Sequence, residues 1–294
     1  MPNRTLPLVM IAALFASACA SAGDVTFRRH YVDGAHGQVH VLSSRPAEEV
    51  DLKTPVVCLA PNPAAGRYFR LFMQELGNDR IMHAPDYPGL GQSDAPPMRM
   101  DMAGYADAMA EMLVTLGYGT DGKGKVDVCG YHTGTMVAIE LGVRRPDLVR
   151  ALILAGIPYY DAEGRKLEYE QNVVAKTLED DFDSLRGSWE FTVSNRQEGV
   201  AIERGYDNFV DLLTQRFRTH WVYHAVFTYA AEIQAPKVTQ PVLILNTHGS
   251  LEQETRAAAA LFNDATLIEI PELHHGVFDV GATLLSDLVR EHLD

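Results

Sequence analysis

A chain of 294 residues, 47% of them hydrophobic, is long enough for one large α/β domain or for a core carrying an inserted subdomain. Its formal charge of −14 and pI near 5.2 argue against nucleic acid and against an anionic membrane surface as partners, since both would repel it.

The chain opens with Arg4, an apolar run from Leu6 to Phe15, and small residues of the A-x-A type at Ala18-Cys19-Ala20 and Ala20-Ser21-Ala22. This pattern predicts a secretory signal peptide over residues 1–22, and hence a secreted or periplasmic protein. The run falls short of the roughly 20 apolar residues that a spanning helix needs, so no stable membrane insertion is expected after cleavage. Lipid attachment at Cys19 is a less favoured alternative. Cys58 and Cys129 lie in apolar runs; they could pair if adjacent strands aligned them, but free, buried thiols are the expectation.

Arg28–Asp33 and Gln38–Ser43 alternate as two strands of a hairpin around Gly34-Ala35-His36-Gly37. Thr54–Ala60 is a continuous apolar run suited to a strand buried on both faces. The Pro- and Gly-rich loop Pro61–Gly66 leads into a helix over Arg67–Leu76. A short strand over Asp79–Ala84 precedes the turn-rich Asp86–Asp94, and Met102–Leu116 has helical periodicity.

Lys125–Gly134, KVDVCGYHTG, reads as strand, sharp turn and the start of a helix that runs to about Arg145. Two glycines at the spacing of G-x-S-x-G lift a central side chain above the sheet, the arrangement of a nucleophile elbow, and here the central residue is His132. After a strand at Ala151–Gly156, residues 158–235 change texture to charged helical stretches and an aromatic cluster including Trp221 and Tyr223. Strand patterns resume at Pro241–Asn246 and Thr266–Ile270, and a helix closes the chain near Thr283–Leu293. Strands alternating with helices imply an α/β fold with a mostly parallel sheet and flanking helices. The core is expected over 24–157 and 236–294, with a helical cap over 158–235 roofing the ligand edge. A small, partly apolar molecule is the expected substrate.

Four landmarks in order give the chain a resemblance to the α/β-hydrolase superfamily: the loop Leu59–Pro63, the stretch Asp86–Asp94, the elbow Gly130–Gly134, and Glu272–Phe278 after the last strand. The resemblance covers residues 25–294 and implies the α/β-hydrolase fold. It places His132 at the nucleophile position, the backbone N–H groups of Asn62 and Thr133 in the oxyanion hole, and His275 as the base. The family's acid would fall near Gly249-Ser250, neither of which is a carboxylate, so Glu252 and Asp161 are the candidates. Tyr131, Trp221 and Tyr223 are the expected substrate contacts, and no cofactor is expected.

An imidazole is both nucleophile and base near neutral pH, so His132 needs no separate activation. Hydrolysis of an ester, lactone or other carbonyl substrate follows, by an acyl-imidazole or by activated water, with His275 assisting. The alternatives are a non-hydrolytic lyase cleaving a carbon–carbon or hydroxynitrile bond, and an inactive ligand-binding protein on the same scaffold. A zinc site formed by His132, His248 and His275 is disfavoured, because no local ligand spacing supports it.

Overall fold

The computed structural model describes residues 24–119, 121–175, 182–215, 217–274 and 276–294; the expected signal peptide and His275 lie outside the described residues. The strands Val56–Leu59 (β3), Val126–Tyr131 (β5), Val149–Ala155 (β6) and Val242–Thr247 (β7) are buried almost throughout. A run apolar on both faces needs cover on both, so these strands occupy the middle of a parallel sheet. With Val25–Gly34 (β1), Gly37–Pro46 (β2), Met82–Pro85 (β4) and Ala265–Ile270 (β8), they form an eight-stranded sheet of order β1-β2-β4-β3-β5-β6-β7-β8. The pairs β1–β2 and β2–β4 are antiparallel and the remainder parallel. The N-terminal hairpin extends beyond its alternating residues, pairing Val25 with Pro46 and Gly34 with Gly37.

Alternate side chains of the central strands divide the core into two layers. Val57, Leu59, Val126, Val128, Leu152 and Leu154 pack in the layer containing Met102–Thr115 (α2) and Thr133–Arg144 (α3). Val56, Cys58, Cys129, Tyr131 and Ile153 pack in the layer of Arg70–Leu76 (α1), Val277–Val280 (α10) and Ala282–Leu293 (α11). Cys58 and Cys129 are opposed in register on β3 and β5 as buried free thiols, and burial pushes the Cys58 thiol up. Glu252–Ala259 (α9) connects β7 to β8.

Between β6 and β7 the regular structure among the described residues is entirely helical: Ala162–Asn172 (α4), Asp183–Trp189 (α5), a π-helical turn at Glu190–Ser194, Ile202–Gln215 (α6), Thr219–Thr228 (α7) and Ala231–Gln234 (α8). The sheet order reverses at β3, which has β4 on one side and β5 on the other. Loops leaving β3 and β5 therefore diverge and open a crevice at the carboxyl edge of the sheet. Topology alone thus sets Pro61–Gly66 and His132 on the two sides of one crevice.

At the far side of the sheet a polar chain crosses β2 and β4: Ser43 Oγ lies 2.8 Å from His30 Nε2 and 2.7 Å from His83 Nδ1, and His83 Nε2 lies 2.9 Å from the Tyr118 hydroxyl. Burial, with the charges of His30 and Lys123, lowers the His83 imidazole from 6.5 to about 4. The unfolded chain therefore binds this proton at a pH where the folded chain does not. The stability contributed by neutral His83 is intact above about pH 6.5 and is lost as pH falls toward about 4, approaching about 3 kcal/mol. His83→Gln should flatten the acid limb of stability between about pH 6.5 and 4 by an amount of that order, measured by urea denaturation across pH.

Candidate active site

The elbow is built by backbone contacts that exclude side chains. A β-carbon at Gly134 would overlap the carbonyl of Leu59 at the end of β3, and one at Gly130 would overlap the carbonyl of Gly134. The first turn of α3 can therefore press against β3 only with glycine at 134, and against its own strand β5 only with glycine at 130. His132, between them, takes φ 48° and ψ −114°, the one non-glycine positive φ among the described residues. Such a conformation costs on the order of 1–3 kcal/mol and persists where the surroundings over-determine it. Here the His132 N–H donates to Ala155 O at 3.1 Å, while its carbonyl accepts from Thr135 N at 2.9 Å and from the buried Thr135 Oγ1 at 2.6 Å. The imidazole packs beside the Tyr131 ring, centroids 4.0 Å apart, and over Gly156, where a β-carbon would come within 2.8 Å of Nε2.

Across the crevice, the loop after β3 is held from both sides. Asp86, in the turn-rich segment after β4, is buried and accepts from Gly66 N at 2.7 Å, from His40 Nδ1 at 2.9 Å and from Gln92 N at 2.9 Å. From the cap, Asp211 of α6 accepts from Ala65 N at 3.2 Å and from Arg67 Nη2 at 2.7 Å. Burial raises the Asp211 carboxyl while Arg67 opposes it. Asn62 Nδ2 donates to Thr219 O at 3.0 Å on α7. The backbone N–H groups of Asn62 and Thr133 have no backbone acceptor among the described residues.

A cavity of about 590 Å³ opens over this crevice, lined by Asn62, Tyr68, Tyr131, His132, Arg196 and Asp279 together with residues of the π-helical turn and α6. Of the expected site residues, His132, Asn62 and Tyr131 reach it, and Thr133 is buried beside it at the start of α3. Glu252 does not line it: its carboxylate accepts from His248 Nδ1 at 2.8 Å and Arg256 Nη2 at 3.1 Å, and these partners lower it below the usual range. Asp161 caps α4, accepting from Gly164 N at 2.8 Å, and is exposed. His248, edge-on to His274 at 4.7 Å, is likewise absent from the lining.

The expected aromatic roof differs. Trp221 stands near Arg218 on α7, and Tyr223 lies behind the loop, its hydroxyl donating to Asn62 O at 3.4 Å; neither lines the cavity. Phe191, Thr192 and Leu212 take that place, because the π-helical turn and α6, rather than α7, overhang His132. Sequence reading also passed over Asp279. Its side chain is 3% exposed and accepts from Arg204 Nε at 2.9 Å, and Arg204 Nη2 donates to Tyr68 O at 3.0 Å. Burial raises the Asp279 carboxyl and Arg204 opposes it. The signal was available in the sequence as a charged residue inside an otherwise apolar short helix, V-F-D-V.

Two outcomes follow. Gly134→Ala should destabilise the fold by about 1–3 kcal/mol in urea denaturation, because backbone cannot yield, while Gly142→Ala, which meets only contacts of 3.4 Å and longer, should stay within about 1 kcal/mol of wild type. Arg204→Met should cost about 3–5 kcal/mol by leaving Asp279 buried and unpaired, and Arg204→Met with Asp279→Leu should cost less than Arg204→Met alone.

The alpha/beta hydrolase family model matches residues 56–285. No curated protein matches the chain by sequence. Among solved structures, the esterase from Exiguobacterium antarcticum superposes with a TM-score of 0.71 at 19% identity, covering 90% of this chain and 99% of that one. A thermophilic esterase from Thermogutta terrifontis gives 0.68 at 19%, covering 90% and 98%. The N-acyl homoserine lactonase AidH, solved as a mutant complexed with N-hexanoyl homoserine, gives 0.69 at 19%, covering 90% and 96%. At this identity the likeness is one of fold. With the family model spanning most of the chain, and with the sheet order and elbow observed, this protein belongs to the alpha/beta hydrolase family.

Proposed function

We propose that this protein hydrolyses a small, partly apolar ester or lactone, with the His132 imidazole as the reacting group and His275 as its assistant. The observation that carries the reading is the strained backbone of His132, φ 48°, held at the floor of the cavity between the Asn62 loop and the start of α3. Strain of this kind is retained where it serves a site. Esterases and a lactonase among the structural neighbours fit the same substrate class. Export through the N-terminal segment, giving a secreted or periplasmic enzyme, belongs to the same reading.

In the chemistry proposed, the substrate carbonyl oxygen sits against the N–H groups of Asn62 and Thr133, which stabilise the oxyanion as the carbon becomes tetrahedral. By the water route, imidazole takes a proton from water as the hydroxide bonds to carbon. The C–O bond to the alcohol portion then breaks, and the alkoxide receives that proton, leaving acid and alcohol, or one hydroxy acid from a lactone. By the covalent route, an imidazole nitrogen bonds to the carbon, the C–O bond breaks and the alkoxide leaves with the proton lost by the ring; water then adds to the acyl-imidazole, the C–N bond breaks, and the acid is released as a proton from water returns to the ring.

The engagement of Glu252 with His248 and Arg256, and of Asp161 with its own helix, favours one competing reading, a ligand-binding protein with no turnover. Steady-state kinetics on activated short-chain esters and lactones decide between them. His132→Ala should lower kcat/KM by about 10²–10⁴-fold with an unchanged melting temperature. Absence of wild-type turnover, or equal turnover by the variant, would sink the proposal. Intact mass after rapid quench separates the two routes, since only the covalent one gains the mass of the acyl group.

A further inference from the structure

Among the described residues lining the cavity there is one Arg or Lys, Arg196, and no carboxylate among the described residues pairs with it. In a chain with 39 acidic residues against 25 basic ones partners are plentiful, yet this guanidinium is half-buried without one. Backbone holds it instead: Nε donates to Val200 O at 3.0 Å and Nη1 to Val193 O at 2.9 Å, while a β-carbon at Gly205 of α6 would come within 3.4 Å of its Cδ. Two carbonyls orient the fork but leave its charge, and Nη2 has no acceptor among the described residues. The contrast is with Arg204, whose charge Asp279 neutralises at 2.9 Å. A planar fork fixed in this way is organised before any ligand arrives, so little side-chain freedom remains to be lost on binding.

The same wall is rich in further donors. The side-chain amides of Asn195, Gln197 and Asn208 line the cavity with no hydrogen-bond partner among the described residues. Glu190 also lines it; it is exposed and makes no ion pair with Arg196. An anion meets a guanidinium through a charge-assisted hydrogen bond, which is stronger in a partly closed cavity than in open water. One unneutralised positive charge matches a monoanion, whereas a phosphate monoester brings nearly two negative charges at neutral pH. His132 rises from the sheet and Arg196 comes from the cap, and Phe191, Val200 and Leu212 give the cavity they share apolar wall. We infer that Arg196 recognises a carboxylate, and that the substrate is a half-ester of a dicarboxylic acid: ester carbonyl at His132, carboxylate on Arg196 Nη2, and a short apolar chain between them. The ester rests on the function proposed above; the carboxylate site does not.

The test is titration calorimetry of the full chain with adipamate and with adipamide. Both carry an amide in place of the ester, and they differ only in a carboxylate against a second amide. Wild type should bind adipamate about tenfold more tightly, and added salt should shrink that margin. Arg196→Gln, whose amide can still cover one of the two carbonyls, should bind both ligands alike with a melting temperature near that of wild type. A crystal structure of the wild-type complex needs no variant, and should place the carboxylate about 3 Å from Arg196 Nη2. Equal binding or none by wild type, an undiminished preference in Arg196→Gln, or a carboxylate seated on the Asn62 and Thr133 N–H groups instead would overturn the proposal. Turnover separates it from the catalytic reading. Monoethyl adipate should be hydrolysed with kcat/KM about tenfold above that of ethyl hexanoate, which has the same chain ending in a methyl group, and equal values would count against carboxylate recognition. Hydrolysis of neither ester, with adipamate binding intact, would count against the catalytic reading alone.

Discussion

The site depends on one backbone contact, the first turn of α3 pressed against the end of β3 at Gly134 and Leu59. No side chain fits between them. That approach sets how far the elbow stands from the loop after β3, and so the separation between His132 and Asn62. It also forces a compact turn between β5 and α3, and the positive φ of His132 is the local cost of that turn. Gly156 extends the same logic to the next strand, where the missing β-carbon gives the imidazole its seat beside Tyr131.

The cap meets this frame in two ways: α7 packs Val222, Ala225 and Val226 into the apolar core, while α6 is tied to the walls of the cavity by charge. Asp211 and Arg204 on α6 reach Ala65, Arg67, Tyr68 and Asp279, which are the walls of the cavity or their immediate neighbours. Buried pairs of this sort add little net stability, but they fix geometry, because either partner left alone is strongly unfavourable. The loop carrying Asn62 is thus clamped between Asp86 below and Asp211 above. The consequence for α6 is its exposed stripe of Ile202, Tyr206 and Val210.

Much of the fold was legible in the sequence because parallel strands announce themselves as short apolar runs and elbows as paired glycines. VVCL and VDVCGY became the central strands β3 and β5, and Gly130-Tyr131-His132-Thr133-Gly134 the turn above them. The cap was legible as helical and aromatic, but not as to which of its residues line the cavity. Composition gives no orientation, so Trp221 and Tyr223 were the expected contacts, whereas Tyr223 stands behind the Asn62 loop and Phe191 lines the cavity. Carboxylates were hardest to read. Asp161 followed by Gly164 is the spacing of a helix cap, and Glu252 with Arg256 is an ordinary helical ion pair. Asp279, a buried carboxylate that does reach the cavity, becomes apparent only once α10 is packed against Arg204.

A histidine at the elbow separates the architecture of the site from its usual serine chemistry, and the question is whether the imidazole addresses a substrate in the cavity. The most direct measurement is a crystal structure of the protein with an unreactive phosphonate analogue of a short-chain ester. A catalytic His132 predicts the tetrahedral phosphorus in the cavity, one phosphonyl oxygen about 3 Å from the N–H groups of Asn62 and Thr133, and an imidazole nitrogen of His132 facing it. An analogue bound elsewhere, or one in the cavity with both His132 nitrogens turned away toward Gly156 and Tyr131, would contradict it.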